Sequence, residues 1–234
     1  MNRLKILTLH LAITLVFSTV YAQNVEQNTG NVINTDVIFS PNKYWLDTIN
    51  MFGFDEKDSR FYNIRKMFAV SDNKLFSEKL MRINEPSLYN NYCYESYRFS
   101  WFRSDRDSHN TLSVRIENHD GNIFLIAKYV PYTSNNRKRR QFNSVNLIID
   151  TIYLGQKEWD IFKHKLVGID FWNIPPVEKT DIISFHCPIW IFEGNNDGLY
   201  HMVHRECGWE KEIGDICLYL LKLSNIPIKK KWFY

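Results

Sequence analysis

TLSVRIENHDGNIFLIAKY, residues 111–129, is the stretch of sequence that decides the fold. Apolar and polar residues alternate before Asp120 and Gly121, and this period of two is typical of a half-buried strand. Glycine adopts positive φ at low cost, so Asp120 and Gly121 predict a two-residue hairpin turn. Closing that turn produces two apolar cross-strand pairs on one face: Val114 with Ala127, and Ile116 with Leu125.

Strand patterns continue on both sides of this hairpin. The preceding stretch YESYRFSWFR, residues 94–103, also alternates, with Tyr97, Phe99 and Trp101 on one side and Arg98 and Ser100 on the other. VNLIIDTIYL, residues 145–154, predicts a fourth strand. PIWIFEG and LYHMVHREC flank turn-forming residues 195–198 and predict a second hairpin. The chain therefore contains about six strands.

Two helices are interleaved with these strands. The first runs from Gln156 to Val167, with Trp159, Phe162 and Leu166 facing inward, and is stopped by FWNIPP. The second presents an apolar stripe before Pro227, made by Ile213, Ile216, Cys217, Leu220 and Leu221. Helices interleaved with hairpins, and not one per strand, predict an α+β fold: a mainly antiparallel sheet with helices packed on one face. We assign it to residues 93–234.

Residues 37–92 are expected to form an N-terminal helical segment. Ser40 and Pro41 are typical of a helix start, and Trp45, Ile49 and Phe52 follow at helical spacing. A second helix is predicted after Asp72, with one side formed by Leu75, Phe76, Lys79, Leu80 and Ile83.

The N-terminus has the features of a signal peptide spanning residues 1–22. Arg3 and Lys5 precede an apolar run of about 15 residues, which is shorter than the roughly 20 needed to cross a bilayer. Small residues before Gln23 fit a signal-peptidase site. We expect an exported protein, periplasmic or extracellular, without a membrane span after cleavage. Residues 23–36 are polar and predict a disordered leader.

The overall charge gives no indication of a nucleic-acid partner. Without Arg3 and Lys5, 27 basic and 26 acidic residues remain, a net charge of about +1. A local cluster stands out in the connection before the fourth strand: Arg137, Lys138, Arg139 and Arg140. Four consecutive cations predict an exposed loop, either merely solvated or in contact with a polyanion: envelope glycans, lipid headgroups or nucleic acid.

The second hairpin concentrates polar residues that are candidates for a site: Glu193, Tyr200, His201, His204 and Arg205. If Gly194 faces Leu199, Glu193 meets Tyr200 on one face and Phe192 meets His201 on the other. His201 and His204, three apart on a strand, then point to opposite faces, so they do not form a two-histidine metal site. We therefore predict no metal and no cofactor.

The same hairpin carries the pattern W-x-x-E-G-x-x-x-G-x-Y-H-x-V-x-R, which begins at Trp190 and ends at Arg205. The pattern resembles that of a family of secreted bacterial proteins of unknown function. The resemblance covers the hairpin and, more loosely, residues 94–224. It implies a family and no activity.

The sheet face opposite the helices is a second candidate site. Alternation places Arg98, Arg115 and Glu117 there, beside Phe124 and Ile126. Such a face either binds a ligand or is covered by the N-terminal segment, with Arg115 and Glu117 as a local ion pair.

Four cysteines have spacings unlike those of zinc sites. In an oxidising compartment Cys187 and Cys207 form the candidate disulfide, because the predicted hairpin places them diagonally. Cys217 lies on a helical apolar stripe and is expected to be a buried thiol.

The chain contains no G-x-S-x-G elbow, no P-loop and no dinucleotide glycine fingerprint. The sequence thus favours a secreted, non-catalytic binding or interaction domain of the bacterial envelope, with a polyanionic or protein partner. The alternative is a hydrolase whose His and Glu residues converge only in three dimensions.

Overall fold

The computed structural model describes residues 73–89, 92–102, 111–130, 147–176, 188–206 and 211–226. The predicted signal peptide, leader, first N-terminal helix and basic loop lie outside these ranges. Within them the strands are β1 (Glu95–Phe102), β2 (Thr111–His119), β3 (Asn122–Tyr129), β4 (Ile148–Leu154), β5 (Ile189–Asn196) and β6 (Leu199–Glu206). The helices are α1 (residues 73–82), α2 (Gln156–Gly168) and α3 (Gly214–Leu223). No helix in the described ranges is long and apolar enough to span a membrane.

The six strands form one sheet in the order β4-β3-β2-β1-β5-β6, and every neighbouring pair is antiparallel. Strands β1 to β4 follow one another as a meander, and the β5–β6 hairpin adds to the other side of β1. The predicted α+β class with a six-stranded antiparallel sheet is confirmed.

The β2–β3 hairpin has the predicted register. Asp120 and Gly121 form the turn with φ of 52° and 92°, which is the positive-φ geometry that matches the twist of the strands. Val114 pairs with Ala127 and Ile116 with Leu125, and all four side chains are buried.

Helices α2 and α3 cover the apolar face of the sheet. The aromatic residues Tyr97, Phe99 and Trp101 of β1 lie there, as the alternation predicted. Helix α2 buries Trp159, Phe162 and Leu166, and α3 buries its predicted stripe, including the free thiol of Cys217. Burial of side chains of this size contributes roughly 1.5–3 kcal/mol each, so this layer contributes strongly to the stability of the fold.

Helix α1 packs on the opposite face of the sheet. Its residues Phe76 and Leu80, with Ile83 just beyond its end, contact a smaller apolar cluster made by Phe102, Val130, Ile191 and Met202. The prediction that Leu75 shares this buried side is wrong, since its side chain is 43% exposed. An α-helix turns about 100° per residue, which moves Leu75 away from the stripe through Phe76 and Leu80.

The β5–β6 hairpin differs from its predicted register by two residues. Asn196 and not Gly194 faces Leu199, so Glu193 pairs with Met202 and Gly194 with His201. The turn is the two-residue Asp197-Gly198, with φ of 49° and 78°. Because a shift of two preserves the side-chain alternation, each residue remains on its predicted face.

Candidate functional site

The sheet face under α1 carries a buried charge cluster, which comprises Glu85, Arg98, Arg115, Glu117, Lys128 and Glu193. Alternation on β1, β2, β3 and β5 directs five of these side chains to this face, and Glu85 approaches them from the connection between α1 and β1. All six residues are at most 8% exposed.

Glu85 is at the centre of the cluster. Its Oε2 accepts from Arg98 Nη1 at 3.2 Å and from Arg115 Nε at 3.1 Å, and its Oε1 lies 3.0 Å from Lys128 Nζ. Burial alone would raise the pKa of Glu85, but Arg115, Lys128 and Arg98 together outweigh burial and lower it to about 2. Glu85 is therefore a carboxylate held by three cations.

Arg98 connects Glu85 to Glu193. Its Nε and Nη2 donate to Glu193 Oε2 at 3.1 and 2.8 Å, and its Nη1 also donates to the carbonyl of Pro86 at 2.6 Å. The Tyr200 hydroxyl donates to Glu193 Oε1 at 3.2 Å. Burial raises the pKa of Glu193, and the donors from Arg98 and Tyr200 offset part of that effect.

Glu117 is the third carboxylate of the cluster. It pairs with Arg115 as predicted for neighbours two apart on a strand, and it accepts from the Tyr92 hydroxyl. His119 Nε2 lies 2.8 Å from Glu117 Oε2. Burial, with a contribution from Arg115, lowers the pKa of His119.

The cluster satisfies its own charges. Three cations face three carboxylates, and each of the six has a partner of opposite sign within the cluster. Buried charges of this kind are costly unless paired and hydrogen-bonded, and here they join the segment after α1 to the sheet. Asn195 adds a further link by donating to the carbonyl of Leu88 at 2.7 Å. The described N-terminal residues thus cover this part of the face.

The two histidines of β6 lie on opposite faces, as predicted. His201 Nε2 is 2.9 Å from the carbonyl oxygen of Ile174 on the helix side, where its ring also contacts Phe171. His204 lies on the α1 side near Phe76. Burial and the nearby Arg205 lower the pKa of His204 to about 4, so it is neutral at neutral pH.

The structure does not bring His201 together with Glu193. Glu193 belongs to the buried charge cluster, on the opposite side of the sheet from His201. An acid/base pair needs its groups within hydrogen-bond reach of one reacting centre, and these two residues do not meet that requirement.

Arg205 lies on the helix side of the sheet and connects β6 to residues 175, 176 and 212. It donates to the carbonyl oxygens of Pro175 at 2.9 Å and Pro176 at 3.3 Å, and it pairs with Glu212. The backbone N–H of His204 donates to the carbonyl of Pro176 at 2.7 Å. Residues 175 and 176 therefore lie beside this edge and bond one of its backbone N–H groups.

The opposite edge strand, β4, is open and apolar. Ile148, Ile149 and Tyr153 are 48%, 56% and 75% exposed. On the α1 side, Tyr153 continues a row of contacting rings through Phe124 and His119 to Tyr94, with centroid separations of 4.7, 4.8 and 3.6 Å. The row ends at Tyr153, and among the described strand residues the exposed apolar side chains are concentrated on this edge.

Within the described ranges, no three side chains of His, Cys, Asp or Glu are grouped as metal ligands. Cys93 is an exposed free thiol. Cys187 and Cys207 lie outside these ranges, so their disulfide stays a prediction.

Sequence reasoning missed several members of the site. Glu85, Tyr92 and Glu212 lie in connections without periodicity, so no pattern marks them. Lys128 could have been found, because it alternates in phase with Phe124 and Ile126 on β3.

No protein-family model matches the chain, and no curated protein matches it with significant similarity.

Proposed function

We propose that the protein is a secreted, non-catalytic interaction domain of the bacterial envelope. The observation that carries this proposal is the open apolar edge at β4, where Ile148, Ile149 and Tyr153 are exposed. Exposed edge strands are used for association through strand addition, and exposed apolar patches commonly mark interaction sites.

The polar residues support binding over catalysis. The carboxylates and guanidinium groups of the buried charge cluster are paired with one another under α1, so their bonding capacity is used within the protein. His201 is bonded to a backbone carbonyl and His204 is buried beside Phe76.

The envelope location rests on the predicted signal peptide and on the resemblance of the β5–β6 pattern to secreted bacterial proteins. The basic run Arg137–Arg140 belongs to the connection between β3 and β4, next in sequence to the open edge. A polyanionic partner, such as an acidic glycan or anionic lipid headgroups, fits these four cations through counterion release.

Binding to two defined polyanions tests this function. The mature chain should be retained on immobilised heparin at low salt and should sediment with phosphatidylglycerol vesicles, in both cases with strong salt dependence. Replacing Arg137–Arg140 by Ser should abolish both. The matched control replaces the exposed residues Lys74, Arg82, Lys157 and Lys222 by Ser, which removes the same charge elsewhere.

Equal loss in the two variants would show that only net charge matters. Absence of wild-type retention on both probes at low salt would overturn the polyanionic partner. Mass analysis of the exported protein tests secretion separately, since cleavage should leave Gln23 as the first residue.

A further inference from the structure

The two edge strands of the sheet, β6 and β4, differ in the hydrogen bonds that their outer sides make. On the outer edge of β6, the backbone N–H of His204 donates to the carbonyl of Pro176, and the Arg205 guanidinium also donates to the carbonyls of Pro175 and Pro176. At the other end of the sheet, β4 is hydrogen-bonded to β3, and no further backbone bond to β4 occurs within the described ranges. A row of free N–H and C=O groups on an edge strand is a template for another strand.

Strand β4 lacks the usual protection of an edge. Its seven residues, Ile148–Leu154, include no proline or lysine, and its pairing with β3 is uninterrupted by a bulge. Asp150 is its one charged residue. Natural edges are normally protected by such charges, prolines and bulges. This edge therefore has the properties of one that acquires a partner strand.

We propose that the partner strand is β4 of a second copy of this chain, paired antiparallel about a two-fold axis at Thr151. This rests on the proposed interaction function and names the partner at its surface. Ile149 then lies opposite Tyr153 of the partner subunit, and Ile148 lies opposite Leu154 of the partner subunit. Cross-strand pairs of aromatic and β-branched residues are among the favourable ones in antiparallel sheets.

The self-complementarity of β4 favours a second copy over an unrelated strand. The exposed residues Ile149 and Tyr153 are equally far from Thr151, so one two-fold axis covers both on each copy. A two-fold axis at Asp150 would place two carboxylates directly opposite each other, which destabilises a strand pair. The axis at Thr151 instead places Asp150 opposite an isoleucine and threonine opposite threonine.

The interface is small, because it consists of one strand pair and the side chains beside it. Interfaces at the low end of the size range are typically weak, so the dimer should dissociate on dilution through the micromolar range, about 8 kcal/mol of binding free energy. Sedimentation equilibrium of the mature chain should show a mass that doubles as concentration rises.

A charge-swap experiment tests the register. Tyr153→Lys and Ile149→Glu should each abolish dimerisation, since each removes both apolar cross-strand pairs. Mixing the two variants should restore a dimer, because Lys at 153 then faces Glu at 149 while the remaining Ile149 faces the remaining Tyr153. Val167→Lys is the control: Val167 is 76% exposed on α2, and its replacement should leave the dimer unchanged.

Circular dichroism should show that each variant is folded, as expected for substitutions at exposed positions. A wild type that stays monomeric at every concentration, or a mixture that fails to dimerise, overturns the proposal. These outcomes are separate from the heparin and vesicle measurements. A protein that stays monomeric but is retained by the polyanions would overturn the proposed dimer and leave the proposed function standing. A protein that dimerises but is not retained would overturn the polyanionic partner and leave the dimer standing.

Discussion

Replacing Glu85 by Gln should strongly destabilise the protein. The substitution keeps the size and shape of the side chain but removes the negative charge that contacts Arg98, Arg115 and Lys128. Arg98 keeps Glu193 and Arg115 keeps Glu117 as partners. Lys128 would keep its hydrogen bond to the carbonyl of Asn84 but would lose its contact with the Glu85 carboxylate. The buried ammonium of Lys128 would then have no counter-charge within the cluster.

The pKa of Glu85 gives the size of this loss of folding stability. A pKa lowered from 4.5 to about 2 corresponds to about 3 kcal/mol of folding free energy, at about 1.4 kcal/mol per pKa unit. Breaking a buried ion pair by removing one partner costs about 3–5 kcal/mol, which agrees with that figure. We therefore expect Glu85→Gln to lower the free energy of unfolding by about 3 kcal/mol at pH 7.

Urea unfolding followed by tryptophan fluorescence measures this loss, with Glu78→Gln as the control. Glu78 is 40% exposed and lies 3.9 Å from Arg82, so its replacement should cost less than about 0.5 kcal/mol. Since folding lowers the pKa of Glu85, its contribution is complete above about pH 4.5 and is lost as the pH falls towards 2. The difference between wild type and Glu85→Gln should shrink over the same interval. A loss below about 1 kcal/mol at pH 7, or one that is constant down to pH 2.5, would refute the central role of Glu85.

Four further predictions concern other parts of the chain. Gly194→Ala should lower the free energy of unfolding in urea by about 1–3 kcal/mol, because the added Cβ would lie 2.6 Å from Tyr97 and 2.9 Å from Phe171. Gly168→Ala is the control, since a Cβ at that position has no neighbour within 4 Å and should not destabilise the protein. Folding lowers the pKa of His204 from 6.5 to about 4. As the pH falls through that interval, the free energy of unfolding of the wild type should therefore fall by about 3 kcal/mol more than that of His204→Gln. Parallel curves of unfolding free energy against pH for the two proteins would contradict this. Burial raises the pKa of the Cys217 thiol, so an alkylating reagent should modify Cys217 only after the protein is unfolded. Peptide mass maps of the alkylated protein, with and without reductant, should also show Cys187 linked to Cys207. Free Cys187 in an oxidised sample would exclude that bond.

Much of the fold could be predicted because alternation and turn chemistry agree. The β2–β3 hairpin is the clearest case, since Asp120-Gly121 admits a single short turn and both strands then place apolar residues on one face. The β5–β6 hairpin was harder because residues 195–198 all favour turns, so a two-residue and a four-residue loop both fit. Positive φ at Asp197 and Gly198 selects the shorter loop.

The candidate site could be predicted only in part. Alternation correctly placed Arg98, Arg115 and Glu117 on the face away from α2 and α3, and it correctly separated His201 from His204. It could not identify Glu85, which binds three cations from a connection without periodicity. Residues that meet only through tertiary packing leave no local pattern in a single sequence.

The contact of residues 175 and 176 with β6 bears on how the sheet can grow. A β-sheet extends indefinitely only when each added chain presents a fresh edge for the next one. Here a chain that joins through β4 offers a β6 edge already bonded to Pro175 and Pro176 by Arg205 and His204. The two-fold pair proposed above uses β4 of both copies, so it leaves no second β4 edge for another chain and favours a closed pair over fibres.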